Sequence, residues 1–203
     1  KAFSKSDYLF MTFDFSCGRV SEGNFSDKLM SQEVKDIKCA IDFLEKLYGF
    51  EKLFLIGHST GAIDAALYSC KDKRLSGVVL SGGVADLKRA VRYDFNSREV
   101  HSFWTKGYVK YDHPGKWYDG KKISKAFYDE FFTLDIASSL KKYKGALMVL
   151  HGSLDEPVPV SEAYELLKIA NRPKKLVVVK GADHRFSKPE HLRLAVKAVK
   201  KFI

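Results

Sequence analysis

Short apolar runs alternate with segments whose apolar residues recur three and four apart, and this alternation predicts a mostly parallel sheet covered by helices on both faces. Runs at 8–13, 52–56, 75–80, 146–150 and 176–179 read as buried strands. Between the first two, Val34, Ile37, Ile41, Leu44 and Tyr48 make one apolar helical face, closed by Gly49. Near the C-terminus Leu192, Ala195, Val199 and Phe202 recur at helical spacing, with Arg193, Lys197, Lys200 and Lys201 on the other positions. No internal repeat, low-complexity tract or long linker divides the chain, so residues 1–203 read as a single α/β domain. The alternation breaks only over 84–144, which reads as a cap inserted into that domain.

The strand at 52–56 runs into Gly57-His58-Ser59-Thr60-Gly61, and a helix starts directly after it. Gly-x-Ser-x-Gly between a strand and a helix places a serine hydroxyl on a sharp, exposed turn, the arrangement of a nucleophile elbow. Glycines flank the serine because the turn is strained and the neighbouring backbones leave no room for a Cβ. Ser59 is therefore the candidate nucleophile, and the Thr60 N–H a candidate oxyanion donor.

Two further strands end in chemistry-bearing turns. The run at 146–150 leads into His151-Gly152-Ser153-Leu154-Asp155-Glu156-Pro157-Val158-Pro159, and the run at 176–179 into Gly181-Ala182-Asp183-His184. Both turns fall at strand C-terminal ends, where open α/β sheets build their sites. The order Ser, then Asp or Glu, then His is the order in which such hydrolases arrange their triad.

On these motifs, together with Phe13-Asp14-Phe15, Gly18 and Ser21-Glu22-Gly23, the chain resembles the α/β-hydrolase superfamily over nearly its whole length. Within it the resemblance is to serine esterases similar to feruloyl (cinnamoyl) esterases and monoacylglycerol lipases. It implies an α/β-hydrolase fold in which Ser59 is the nucleophile, Asp155 the triad acid and His184 the base. Glu156 is the neighbouring alternative to Asp155. Where such esterases carry Gly-His-Gly after the first matching strand, this chain has Ser16-Cys17-Gly18-Arg19-Val20, a departure at the pocket rim. The resemblance also matches 8–13 to the family's fourth strand, which implies that N-terminal strands are missing from the chain, roughly 30 to 50 residues at typical strand and loop lengths. The second oxyanion donor would lie there.

Composition narrows the partners. With 45% hydrophobic and 30% charged residues the chain is an ordinary soluble globule, and no apolar run is long enough to span a membrane. The formal net charge of +10 raises a nucleic-acid reading. Much of the excess lies on the polar face of the C-terminal helix, so a solvated basic face is expected, with no nucleic acid and no stable membrane insertion. Cys17, Cys39 and Cys70 form an odd set without metal-ligand spacing, which fits a reducing cytoplasm. No metal or cofactor is expected; a homodimer is an allowed assembly.

The 84–144 segment holds both tryptophans, Trp104 and Trp117, and many of the other aromatics. That bulk suits either a lid over an acyl or aryl group or the segment's own small core. Trp104, Tyr108 and Trp117 are the candidate substrate contacts. His58 is expected to pack behind the elbow, His151 to support the acid turn, and His101, His113 and His191 to lie on the surface or in the cap. Asp64 and Asp183 are expected to cap helices or bond locally. The function expected from motif and resemblance together is cofactor-independent hydrolysis of small or aryl carboxylic esters through an acyl-enzyme. A lipase, thioesterase or peptidase could use the same triad, and a catalytically silent scaffold or partner-binding protein is the alternative from another class.

Overall fold

The computed structural model describes residues 8–203. Four parallel strands form the main sheet: β1 (Leu53–His58), β2 (Leu75–Ser81), β3 (Ala146–Gly152) and β4 (Lys174–Val179), in the spatial order in which the chain makes them. Ile56 pairs with Val79, Leu80 with Val149, and Leu150 with Val177, so the C-terminal ends of all four strands line up on one side. The two central strands, β2 and β3, are mostly apolar and almost wholly buried, as strands covered on both faces are.

Two hydrophobic cores follow from the pleat, which sends alternate residues to opposite faces. Val78, Leu80, Leu147 and Val149 face α1 (Met30–Tyr48) and α2 (Thr60–Ser69) in the larger core. Val79, Met148, Leu150 and Val179 face the C-terminal helix in the smaller one. In α1, Val34, Ile37 and Ile41 are buried as their spacing predicts, but Tyr48, in the last turn, is 66% exposed.

The 84–144 segment contains α3 (Leu87–Asp94), α4 (Ser97–Lys106), α5 (Lys125–Thr133) and α6 (Ile136–Lys142). It also contains a small antiparallel ladder between Tyr108–Lys110 and Lys122–Ser124. Phe95, Phe103, Tyr128 and Phe131 stack within the segment, with ring centroids 4.7–6.0 Å apart, and are continuous with the larger core. After β3 come α7 (Ser161–Ile169) and, after β4, α8 (Pro189–Phe202). Buried Glu162 of α7 accepts from Arg89, Tyr93 and the Ala85 N–H, which fixes the start of the inserted segment against the main domain.

The strand expected at 8–13 does not form. These residues join no ladder, and Tyr8, Leu9, Phe10 and Phe13 are all exposed. Apolar composition makes a strand only where a hydrogen-bonding neighbour exists, and the outer edge of β1 has none among the described residues. On α8, Ala195 and Val199 are buried and Arg193, Lys197, Lys200 and Lys201 are exposed, as the periodicity implies. Leu192 is instead half-exposed, and His191, expected at the surface, is buried against Gly181.

Candidate active site

The turn after β1 is built around one forced close approach. A Cβ on Gly57 would lie 2.0 Å from the Gly61 carbonyl oxygen, so only glycine fits where the strand folds back on the helix. Ser59 sits at the apex with φ 56 and ψ −124, a conformation L-residues rarely adopt. Its N–H donates to the Ser81 carbonyl at the end of β2, and its own carbonyl accepts from Ala62. Its side chain makes no capping bond to α2, which leaves the hydroxyl free for other partners. The Thr60 N–H opens the helix, among the first-turn donors that have no intrahelical acceptor.

The two later turns are stitched to each other. Ser153 N–H donates to Val179, Leu154 N–H to Ala182, and Gly181 N–H to the Ser153 hydroxyl. A Cβ on Gly152 would come within 2.4 Å of the Ala182 carbonyl, so a glycine permits the two backbones to lie side by side. That register brings His184 Nδ1 to 2.7 Å from Asp155 Oδ2, while Asp155 Oδ1 accepts the Val158 N–H at 2.8 Å. Glu156 is exposed and Asp155 only 8% so; of the two neighbours it is Asp155 that meets the imidazole. Burial opposes the charge on Asp155, but the N–H groups of His151, His184 and Val158 outweigh it and hold the carboxyl well below the ordinary range.

Ser59 and His184 line one cavity of about 560 Å³ with His58, Ser81, Ile56, Leu150 and the inner face of α8. His184 packs where Gly82 has no side chain: a Cβ there would meet its ring at 2.9 Å. The His58 ring lies 4.8 Å from that of His184, with Nδ1 3.3 Å from the Ser81 hydroxyl. Desolvation in the concavity, then the charge of His184, push His58 below the usual imidazole value. At the end of α3, the Asp94 carboxyl is pushed up to about 6 by desolvation while the charge of His184 pulls it down. Asp94 links the inserted segment to the site electrostatically, and no motif in the sequence marks it.

Other candidates lie elsewhere. Trp104 is 66% exposed with the Lys125 ammonium 4.3 Å from its ring centre. Tyr108 lies under Lys122 at 4.1 Å, and Trp117 under Lys121 while packing on Phe25. None of the three lines the cavity shared by Ser59 and His184. Asp183 accepts the Ser187 N–H, a local bond of the kind expected. Asp64 departs from expectation: it is fully buried on α2, caps nothing, and neither of its oxygens meets a donor. Glu33 of α1 lies beside it, paired through its other oxygen with Lys28. Among the described residues no His, Cys, Asp or Glu side chains are grouped as a metal would require, and no helix is long and apolar enough to cross a membrane.

Residues 17–203 match the family model described as the prolyl oligopeptidase family. No curated protein matches the chain. Among solved structures, a putative hydrolase from Agrobacterium vitis S4 is similar with a TM-score of 0.76 and 20% identity, over 94% of this chain and 74% of that one. Est1E from Butyrivibrio proteoclasticus, solved with ferulic acid, aligns with a TM-score of 0.74 and 22% identity, over 93% and 73%. The monoacylglycerol lipase of Paleococcus ferrophilus aligns with a TM-score of 0.65 and 20% identity, over 89% and 77%. These likenesses establish the α/β-hydrolase fold.

Proposed function

The chain belongs to the prolyl oligopeptidase family of α/β-hydrolases, and from that premise we propose that it is a serine hydrolase that cleaves small or aryl carboxylic esters. The observation that carries the reading is that one cavity is lined both by a strained, uncapped Ser59 and by an imidazole backed by a buried carboxylate at 2.7 Å. Serine is a poor nucleophile at its own pKa. In this reading His184 takes the Ser59 proton as Oγ attacks the ester carbonyl, then returns it to the leaving alcohol. Asp155 keeps the proton of the resting imidazole on Nδ1, so that Nε2 is free to act, and stabilises the imidazolium. The Thr60 N–H supplies one donor to the tetrahedral oxyanion. Water then repeats the sequence on the acyl-enzyme and releases the acid.

The ester assignment draws support from the cavity wall. Ile56, Leu150, Leu192, Ala195 and Val199 present an apolar surface beside Ser59, which suits an acyl chain or aryl ring. Trp104, Tyr108 and Trp117 lie outside this cavity and lend the ester assignment no support. A peptidase reading is favoured by the family's description, since the same triad cleaves amides.

Hydrolysis of p-nitrophenyl acetate, p-nitrophenyl butyrate, methyl ferulate and an aminoacyl p-nitroanilide, each by wild type and Ser59→Ala, tests both readings. Ester turnover lost in Ser59→Ala is the expected result. Turnover of the anilide alone would move the assignment to a peptidase, and no difference from Ser59→Ala on any substrate would leave the scaffold reading.

A further inference from the structure

His151 occupies an unusual position for a polar side chain. It lies near the end of β3, is fully buried, and its Nδ1 has no hydrogen-bond partner. A buried polar atom left unpaired is costly, and a hydrophobic ring of similar size would fill the space without that cost. The other nitrogen is engaged twice. Nε2 lies 2.9 Å from the Val158 carbonyl oxygen and 3.2 Å from Asp155 Oδ2. Both neighbours are acceptors, so the ring carries its proton on Nε2.

These contacts close a loop. His151 Nε2–H holds the Val158 carbonyl, the Val158 N–H holds Asp155 Oδ1, and Asp155 Oδ2 lies against the same Nε2–H while accepting from His184 Nδ1. The carboxylate cannot turn about its Cβ–Cγ bond without giving up the Val158 bond and moving Oδ2 off the line to His184. The geometry points to His151 as a positioning residue, one that acts through Asp155 to keep Oδ2 aimed at the His184 imidazole. It reaches no substrate from its buried place behind the acid turn. The proposal rests on the triad reading above, in which the orientation of His184 matters for turnover.

Two substitutions separate this role from packing. His151→Phe keeps a ring and removes the donor. His151→Gln restores an N–H near the place of Nε2. With p-nitrophenyl butyrate, His151→Phe should lower kcat about tenfold with KM unchanged, the scale seen for groups that orient a metal-bound histidine from behind. His151→Gln should recover most of that loss. In parallel, the low-field proton resonance of the His184 Nδ1–H should broaden or vanish in His151→Phe and persist in His151→Gln, whatever the two variants do to Tm. A wild-type kcat and resonance in His151→Phe would overturn the proposal. So would equal impairment of both variants in step with their loss of Tm. Equal ester hydrolysis by wild type and Ser59→Ala would remove the esterase reading alone, and the resonance would still decide the role of His151.

Discussion

Two of the buried carboxylates in this fold, one on the helix that starts at Ser59 and one in the turn after β3, have opposite surroundings. Asp155, in the turn after β3, is met by the N–H groups of His184, Val158 and His151, and its carboxyl lies well below the ordinary range. Asp64, on the helix that starts at Ser59, meets no donor and is pushed up to about 9, first by desolvation and then by the charge of Glu33. Both carboxyls are shielded from solvent, but Asp155 is met by donors while Asp64 is more deeply desolvated and faces the charge of Glu33. One site holds an anion ready to support an imidazolium. The other holds a neutral acid, whose proton can serve as the donor that Glu33 otherwise lacks on Oε2.

Neutralising each carboxylate in turn separates the two sites most strongly. Asp155→Asn should lower kcat about 10⁴-fold, because an amide can no longer hold the imidazole in the productive tautomer. Asp64→Asn replaces a neutral acid with a neutral amide and should leave kcat near the wild-type value.

Next in size is the backbone that carries the anion. Gly152→Ala would drive a Cβ to 2.4 Å from the Ala182 carbonyl oxygen and spread the two stitched turns. A loss of about 3 kcal/mol in chemical denaturation, with loss of activity in whatever remains folded, is the expected outcome. Retained stability and turnover would mean that the two turns tolerate separation and that their register is not what aligns Asp155 with His184.

The pH dependence of stability comes third and bears on Asp64. Its folded-state pKa is raised, so the folded protein binds this proton more tightly than the unfolded chain does. Its contribution is therefore greatest below the unfolded carboxyl value of about 4 and declines as pH rises towards about 9. Glu33, raised chiefly by burial, acts in the same direction, offset in part by Lys28. Denaturation midpoints measured across that window should fall less steeply in Asp64→Asn than in wild type. Parallel curves would show that Asp64 is already ionised in the fold. The smallest effect is expected at the outer surface of the inserted segment, where Trp104→Ala should alter stability by less than about 0.5 kcal/mol, so that any larger change in KM reports substrate contact.

The sequence made one of these carboxylates visible and hid the other. Asp155 stood out because its turn follows an apolar strand and precedes a Gly-Ala-Asp-His turn on the next, and strand ends gather in space. The strands themselves were legible from apolar runs, and the elbow from glycines whose close approach needs the absence of a side chain. Asp64 looked like a helix-terminal acid, because its neighbour Glu33 comes from another helix and only tertiary packing brings them together. His151 was legible as support for the acid turn but not as a closed loop through Val158, since a backbone carbonyl leaves no mark in sequence. Asp94 was invisible for a similar reason: the place of α3, which Glu162 holds through Arg89 and Tyr93, is set by tertiary contacts that leave no motif. The run at 8–13 misled because apolar composition reports burial preference and not the presence of a pairing edge.

In the proposed reaction Ser59, His184 and an ionised Asp155 act together on an ester. The most direct test is p-nitrophenyl butyrate hydrolysis by Asp155→Asn and Asp64→Asn beside wild type and Ser59→Ala, with folding checked for each. Asp155→Asn should fall almost to the level of Ser59→Ala while Asp64→Asn stays near wild type. Comparable losses in the two carboxylate variants, or full activity in Asp155→Asn, would contradict the proposed reaction.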